Sequence, residues 1–520
     1  MIFLKQKKML NVLLCVIWIA QLLIEVLTFG IIWKLEMLPM LYMTVAAALF
    51  ALLWLLTGGL LFLGKKPGIV RRITALLLVA LIVFGCAGLS GMVTQLNRTM
   101  SNVTGKTEIT TEMKVFVRAD DPAQDILDAA DYTYAVLRNI GQDKTQKAIA
   151  TLENKSGTTL NTVAYEFATE MADALYNGEV DAILISGAYA GMLEEMAGYE
   201  DFSAKTKVLH KFLIVEQTTG PKNPQQSEDP LTTRPVVGED KENPDDKVSA
   251  EATIINTPFV VYLSGNDTRS TTLVTGRSDV NILAVVNPVT KQILLVNTPR
   301  DYFIPHPLAP EGQRDKLTHL GNDGIDCSMD GLENLYNERI DFYAQINFTG
   351  FETLIDAIGG ITVYFDRGFA VQGTEIVAGE NYLNGEMALA VARNRNFADG
   401  DHARGRNQMK IIKAVMQKLV SGAIITNYAD ILNSLEGMFV TDFTMDDISK
   451  LVKMQLSDLA TWNIQSYAVI GPSGEDKTYT AGYASVVFPD EGSVEFGTEL
   501  IDRVIAGDIL TEQDVIYTAN

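Results

Sequence analysis

Three long apolar runs crowd the first hundred residues, at 9–33, 37–63 and 73–93. Each is as long as the roughly 20 residues a helix needs to cross a hydrocarbon core of about 30 Å. Such runs must be buried in a large core or cross a bilayer, and three in succession point to the bilayer. The first is too long, and too promptly followed by the second, for a cleaved signal peptide.

Basic residues set the orientation. Lys5, Lys7 and Lys8 precede the first run, and Lys65, Lys66, Arg71 and Arg72 lie between the second and third. The first loop holds only Lys34 and Glu36. The positive-inside rule puts the N-terminus and the second loop in the cytoplasm, so everything after about Gln95 is expected outside. The chain is expected to be a multi-pass protein of the cell membrane with extracellular C-terminal domains.

The remaining sequence is acidic. The 520 residues carry 42 Lys+Arg against 64 Asp+Glu, a net charge of -22, which argues against a nucleic-acid partner. Of 3 cysteines, Cys15 and Cys86 sit in apolar runs and Cys327 stands alone, so no disulfide framework is expected.

Four regions follow in order. Residues 1–95 form a three-helix membrane anchor. After a Thr-rich stalk at 101–112, residues 107–216 form a small accessory α/β domain. Within it, strands are expected at 113–117, 180–186 and 209–215, and helices at 123–139 and 162–176. It shows no cluster of titratable residues that reads as a site. Residues 217–256 are acidic and carry five prolines between Pro221 and Pro244, the composition of a flexible linker. Residues 257–520 form the second outer domain. Its expected strands are 259–264, 280–286, 292–296, 342–347, 361–365 and 464–470. Its expected helices are 330–336, 351–358, 383–391, 402–419, 424–433, 446–459 and 496–506. Strands alternating with helices imply an α/β/α sandwich around a mixed sheet.

Chemistry gathers at the ends of those elements. Asp267 and Arg269 lie in GNDTR, Arg277 and Asp279 in GRSD, and Arg300 and Asp301 in PRD. Arg393 and Arg395 are followed by Asp401, Arg404, Arg406 and Gln408, with Arg404 and Gln408 on one helical face. Arginines in surplus over nearby acids call for an anion. Arginine rather than lysine favours bidentate contact with phosphate, and aspartate supplies hard oxygen ligands for a divalent metal. Single Asp–Arg pairs are also common structural ion pairs. No P-loop, HExxH, CxxC or GxSxG motif occurs. His319 reads as a surface or structural histidine, Lys316 as a further phosphate contact, and Cys327 as inert.

The succession GNDTR, RSDVNILAVVNP, LLVNTPRD, DKLTHLG, INFTGFETLIDAIGGITV, LNGEMALAVARNR and DHARGRNQ resembles the LytR–CpsA–Psr family. The resemblance implies a membrane-anchored envelope enzyme that moves a glycopolymer, of teichoic acid or capsular polysaccharide type, from a polyprenyl-pyrophosphate carrier to peptidoglycan. It implies an α/β/α sandwich holding the polyprenyl tail in an apolar pocket. It assigns Asp267 and Asp279 to Mg²⁺, and Arg277, Arg300, Arg393, Arg395, Arg404 and Gln408 to the pyrophosphate. Asp279, Arg277 and Asp301 are the candidate catalytic residues, with Asp279 and Asp301 both open as the group that orients or deprotonates the acceptor hydroxyl. Two departures stand out: three spans where many members have one, and Asn407 before Gln408 where many read Arg. The alternatives are a polyprenyl-pyrophosphate phosphatase or pyrophosphatase, and a non-catalytic polyprenyl-phosphate-binding regulator.

Overall fold

The structure, a computed structural model, describes residues 2–63, 68–105, 108–138, 141–194, 196–217, 253–394, 400–421, 431 and 433–518. Most of the expected linker and most of the expected helix at 424–433 lie outside these. Two compact units result: Met1–Thr104 with Ser421–Asn433 and Thr444–Ala460, and Gly105–Val420 with Ser434–Phe443 and Thr461–Asn520.

Among the described residues of the first unit, three helices are long and apolar enough to cross a membrane: Met9–Trp33, Met40–Phe62 and Ile69–Arg98. The second starts three residues later than expected, with Pro39 at its N-cap. Trp18 stacks on Trp54 with ring centroids 4.1 Å apart. A Cβ at Gly58 would lie 2.7 Å from the Trp18 ring, so this close crossing requires glycine. Buried polar groups tie the helices together: Gln21 Nε2 donates to Glu25 Oε1 at 2.8 Å, and Thr57 Oγ1 to Gln21 Oε1 at 3.0 Å. The amphipathic helix Met445–Asp458, opened by a Thr444/Asp447 capping box, also belongs here. Its Ser449 Oγ donates to the Leu35 carbonyl at 3.3 Å, in the loop between the first two spans.

Among the described residues, the second unit contains a five-stranded sheet, a six-stranded sheet and four two-stranded ribbons. The smaller of the two sheets has the order Asn161–Tyr165, Thr133–Leu137, Ala182–Ser186, Glu108–Arg118, Thr206–Gln217. Three expectations fail in this region. The stalk is instead the end of the helix Ile69–Val103 and the start of a strand that pairs along its length with Thr206–Gln217. The helix expected at 123–139 is a run of turns followed by the strand Thr133–Leu137. Asp121 Oδ1 accepts from the Ala123 N–H and Asp125 Oδ1 from the Leu127 N–H, so local side chains take the donors a helix would use. The helix expected at 162–176 begins only at Ala168, because Thr162 and Val163 are β-branched and pair with Tyr134 and Ala135.

The larger sheet has the order Phe439–Thr441, Phe342–Asn347, Phe259–Asn266, Ser278–Asn287, Gln292–Asn297, Asn463–Ala468. Its pairings mix parallel and antiparallel, as expected for this domain. One row across it is Tyr262, Leu283, Val296 and Tyr467, all facing one core. Leu332 from Ile325–Tyr336 and Leu500, Ile501 and Val504 from Glu491–Ala506 close that core. Leu263 and Ile346 point to the opposite face, under helices Gly385–Arg393 and Gly400–Leu419. The expected strand 361–365 forms, but in a separate two-stranded ribbon with Gly379–Leu383. The helix Leu317–Asp323 and the ribbon Ser473–Thr478/Gly482–Val487 lie at positions where no element was expected.

Candidate functional site

Strand direction puts the charged motifs together. Phe342–Asn347 and Phe259–Asn266 run parallel, as do Gln292–Asn297 and Asn463–Ala468, while Ser278–Asn287 opposes its two neighbours. Four strands therefore end, and Ser278–Asn287 begins, at one edge of the sheet. Asp267, Arg277, Asp279 and Arg300 all sit at that edge, where ligands of open α/β sheets bind.

A buried network fixes the start of the strand that carries Arg277 and Asp279. Tyr262 Oη lies 2.8 Å from Ser278 Oγ and donates to Asn281 Oδ1 at 2.6 Å, and Ser264 Oγ lies 2.8 Å from Ser278 Oγ. In the preceding loop, Asn266 Oδ1 accepts from the Thr268 N–H and Asn266 Nδ2 donates to the Val274 carbonyl. The Thr275 N–H donates to the Thr110 carbonyl at 2.8 Å, so the smaller sheet also holds this loop. After Gln292–Asn297, the Thr318 N–H donates to the Arg300 carbonyl at 2.8 Å.

The acids and arginines interlock. Arg277 Nε donates to Asp267 Oδ2 at 2.7 Å, and Arg277 Nη2 reaches the same oxygen. Buried Arg300 donates through Nη1 to Asp279 Oδ1 at 2.6 Å. Asp301 lies between Arg300 Nε at 3.5 Å and Lys316 Nζ at 3.4 Å. Arg393 covers the Phe348 ring at 4.8 Å. Gln408, one helical turn after buried Arg404, donates from Nε2 to the Ala392 carbonyl at 3.1 Å, joining the two arginine-bearing helices. Arg269 points elsewhere, 57% exposed and 3.7 Å from Glu352. Arg395 lies outside the described residues, as does the side chain of Asp401.

Two cavities open along this edge. The first, about 810 Å³, is walled by aliphatic and aromatic side chains such as Leu263, Ile346, Phe351, Ile411 and Val415. Its charged lining among the described residues is Asp267, Arg277, Asp279, Arg300, Arg393 and Arg404. Arginines outnumber acids there two to one, within a strongly acidic chain. The second, about 620 Å³, adjoins the first along Asp279, Arg300, Arg404 and Gln408, which line both. It also has Asn297, Arg406, Lys410, Ser466 and Tyr517 in its wall. Asp301 lines neither of these two cavities. Sequence reasoning gave Asn297 no role although it lies within LLVNTPRD, and missed Ser466 and Tyr517, which carry no motif and reach the edge only through the fold.

Asp267 and Asp279 suit a magnesium ion. Mg²⁺ takes one or two carboxylates plus substrate phosphate oxygens, and both acids line the cavity that holds the arginines. A different group of metal-type ligands, His306, Asp323 and Cys327, lies within 4.8 Å of one another away from this edge. There the His306 Nδ1 already accepts from the Leu308 N–H at 3.2 Å, and burial pushes the Cys327 thiol well up, keeping it protonated. His319 is structural: its Nδ1 lies 2.6 Å from Asp315 Oδ1 in a fully buried pair.

Comparison with known proteins gives a consistent set of relatives. The family model LytR_cpsA_psr matches residues 232–495. A polyisoprenyl-teichoic acid–peptidoglycan teichoic acid transferase TagU of Enterococcus faecalis (strain ATCC 700802 / V583) is 38% identical over 197 residues, 37% of this chain and 64% of the relative. The TagU of Bacillus licheniformis is 32% identical over 211 residues, 40% of this chain and 63% of the relative. The chain thus spans slightly under two thirds of the length of these relatives. Among solved structures, TagV of B. subtilis aligns at 23% identity and TM-score 0.41, covering 49% of this chain and 99% of TagV. TagT bound to LI-WTA aligns at 23% identity and TM-score 0.41, covering 49% and 94%.

Proposed function

This chain belongs to the LytR_cpsA_psr family, and from that membership we propose that it transfers a phosphate-linked glycopolymer from a polyprenyl-pyrophosphate carrier to a peptidoglycan sugar hydroxyl, releasing polyprenyl phosphate. The observation that carries the reading is the apolar cavity of about 810 Å³ that ends in four arginines and two aspartates. A long apolar chain ending in a pyrophosphate has that shape and charge. The TagU relatives, named for teichoic acid transfer to peptidoglycan, support the same substrate classes.

Arg277, Arg300, Arg393 and Arg404 hold the phosphoryl oxygens, and Arg395 is proposed to join them. Asp267 and Asp279 would hold Mg²⁺, which would supply neutralisation of the charge on those oxygens. The acceptor oxygen attacks the phosphorus nearest the glycan. A new P–O bond forms, and the bond from that phosphorus to the bridging oxygen breaks. Polyprenyl phosphate leaves with the electron pair. The hydroxyl proton passes to a carboxylate, and the cavity linings favour Asp279 over Asp301.

The domains after the third span face outward in this reading. Ser449 contacts Leu35, so the loop between the first two spans and the helix Met445–Asp458 share one side of the membrane. Three spans require that in either orientation, and the basic residues of the second loop are what favour N-in.

The test combines full-length protein, lipid-linked donor, Mg²⁺ and a peptidoglycan oligosaccharide. A covalent glycan–phosphate–oligosaccharide product is expected, with much slower pyrophosphate cleavage when the oligosaccharide is omitted. Equal cleavage with and without it, and no coupled product, would favour a hydrolase. Lipid retention without any cleavage would favour the regulator.

A further inference from the structure

The transfer reading accounts for the apolar cavity but leaves the second cavity without an occupant. We propose that this second cavity, about 620 Å³, seats the acceptor glycan, and that Tyr517 is a sugar-contacting residue within it. The inference rests on the transfer reading and adds a place and a side of approach.

The argument begins with direction. In phosphoryl transfer the attacking and leaving oxygens lie roughly in line across the phosphorus. The leaving group is polyprenyl phosphate, whose tail fits the apolar cavity. The acceptor hydroxyl must then come from the opposite side of the arginines. Asp279, Arg300, Arg404 and Gln408 form a wall shared by both cavities, and no other lining residue of the second cavity belongs to the first, so we place the acceptor's approach there. Asp279 thus faces the incoming hydroxyl as well as the phosphate.

The chemistry of the second cavity differs from that of the first in the way a sugar requires. Its wall includes the Asn297 amide and the hydroxyls of Ser466 and Ser473, which can pair with ring hydroxyls and acetamido groups. It also includes Tyr517, an amphipathic ring. That ring is held in place: its Oη donates to Asp490 Oδ1 at 3.2 Å, and it packs on Phe496 with centroids 5.5 Å apart. Val515 and Tyr517 lie beyond residue 495, where the family match ends. The chain's last segment therefore supplies part of this wall from outside the family's common core.

The test uses full-length protein in detergent and, as probe, a tetrasaccharide of alternating β-1,4-linked N-acetylglucosamine and N-acetylmuramic acid. Binding is read by titration calorimetry, transfer by kinetics with varied acceptor, and donor occupancy by mass spectrometry of retained lipid. Tyr517→Ala should raise the acceptor KM about tenfold, the loss of one aromatic contact. Tyr517→Phe, which keeps the ring, should stay near wild type. Ser473→Trp should fill the cavity and abolish tetrasaccharide binding. All three should retain lipid as the wild type does. Unchanged acceptor KM and binding in Tyr517→Ala and Ser473→Trp would overturn the proposal, as would loss of lipid in both, which would give the cavity to the donor. The transfer reading can fail separately: tetrasaccharide binding blocked by Ser473→Trp with no coupled product from the wild type would leave the glycan site standing and remove the transferase.

Discussion

Arg300 is the residue on which both cavities turn. It is buried, donates to Asp279 and lies against Asp301. Replacing it with alanine leaves two acids facing each other and, in the proposed reading, takes a charge-assisted contact from the phosphate. Arg300→Ala is expected to cut retention of polyprenyl phosphate lipid roughly 100-fold, read by mass spectrometry of the purified protein. Normal retention would take Arg300 out of the phosphate site. Asp315 shows a different use of charge. Burial alone would raise its pKa, but His319 beside it and hydrogen bonds from His319 and Thr480 hold the carboxyl below its usual value. A depressed carboxyl stabilises the fold above its unfolded pKa, near 4, and that contribution fades as pH falls through the folded pKa. Asp315→Asn should therefore lower the thermal midpoint at pH 7, and the gap to wild type should narrow below about pH 4. A gap independent of pH would show that the carboxylate's charge is not what matters. Asp267, Arg277, Asp279 and Arg300 were legible in the sequence because each sits in a short motif at the end of an apolar run. Tyr517 was not: its role depends on a C-terminal segment returning to the sheet edge, which no local pattern records.

Among elements, the short helix Leu317–Asp323 matters most for its size. It was not expected, because THLGND carries few apolar residues and a glycine, yet nearly all of it is buried. A Cβ on Gly321 would lie 2.6 Å from the Gly276 carbonyl oxygen and 2.8 Å from the Ser278 nitrogen. Backbone cannot yield there as a flexible side chain would. Gly321→Ala should cost about 1–3 kcal/mol and shift the segment that bears Arg277, lowering both the thermal midpoint and lipid retention. A fully stable variant with normal lipid would mean the helix can move away freely. The smaller sheet meets the same loop from another side, through Thr110 to Thr275 and Thr111 Oγ1 to Thr275 Oγ1 at 3.1 Å. The strands of the larger sheet were readable because they are apolar runs closed by turn residues. The failure at 123–139 has the opposite cause: helical spacing of apolar residues was present, but Asp121, Asp125 and Asp128 gave the backbone N–H groups other hydrogen-bond partners.

At the scale of the whole molecule, the first question is which side of the membrane each unit occupies. Val289 is 66% exposed in the turn between two strands of the larger sheet, whereas Cys327 is buried. Val289→Cys should react with a membrane-impermeant maleimide on intact cells. Reaction only after lysis would reverse the topology and end the envelope reading. The second question is handling. The chain enters the anchor's unit again at Thr444–Ala460, where Ser449 reaches Leu35. A truncated soluble fragment beginning at Gly105, the obvious choice for crystallisation or screening, would keep that helix and discard what covers it. Such a fragment is expected to melt earlier than the full chain and to self-associate on size-exclusion chromatography. Polar substitution of Leu451 and Val452, both half-buried on that helix, should restore its solubility. A biochemist planning to work without detergent would have to redesign the helix Met445–Asp458 as well as choose where to cut.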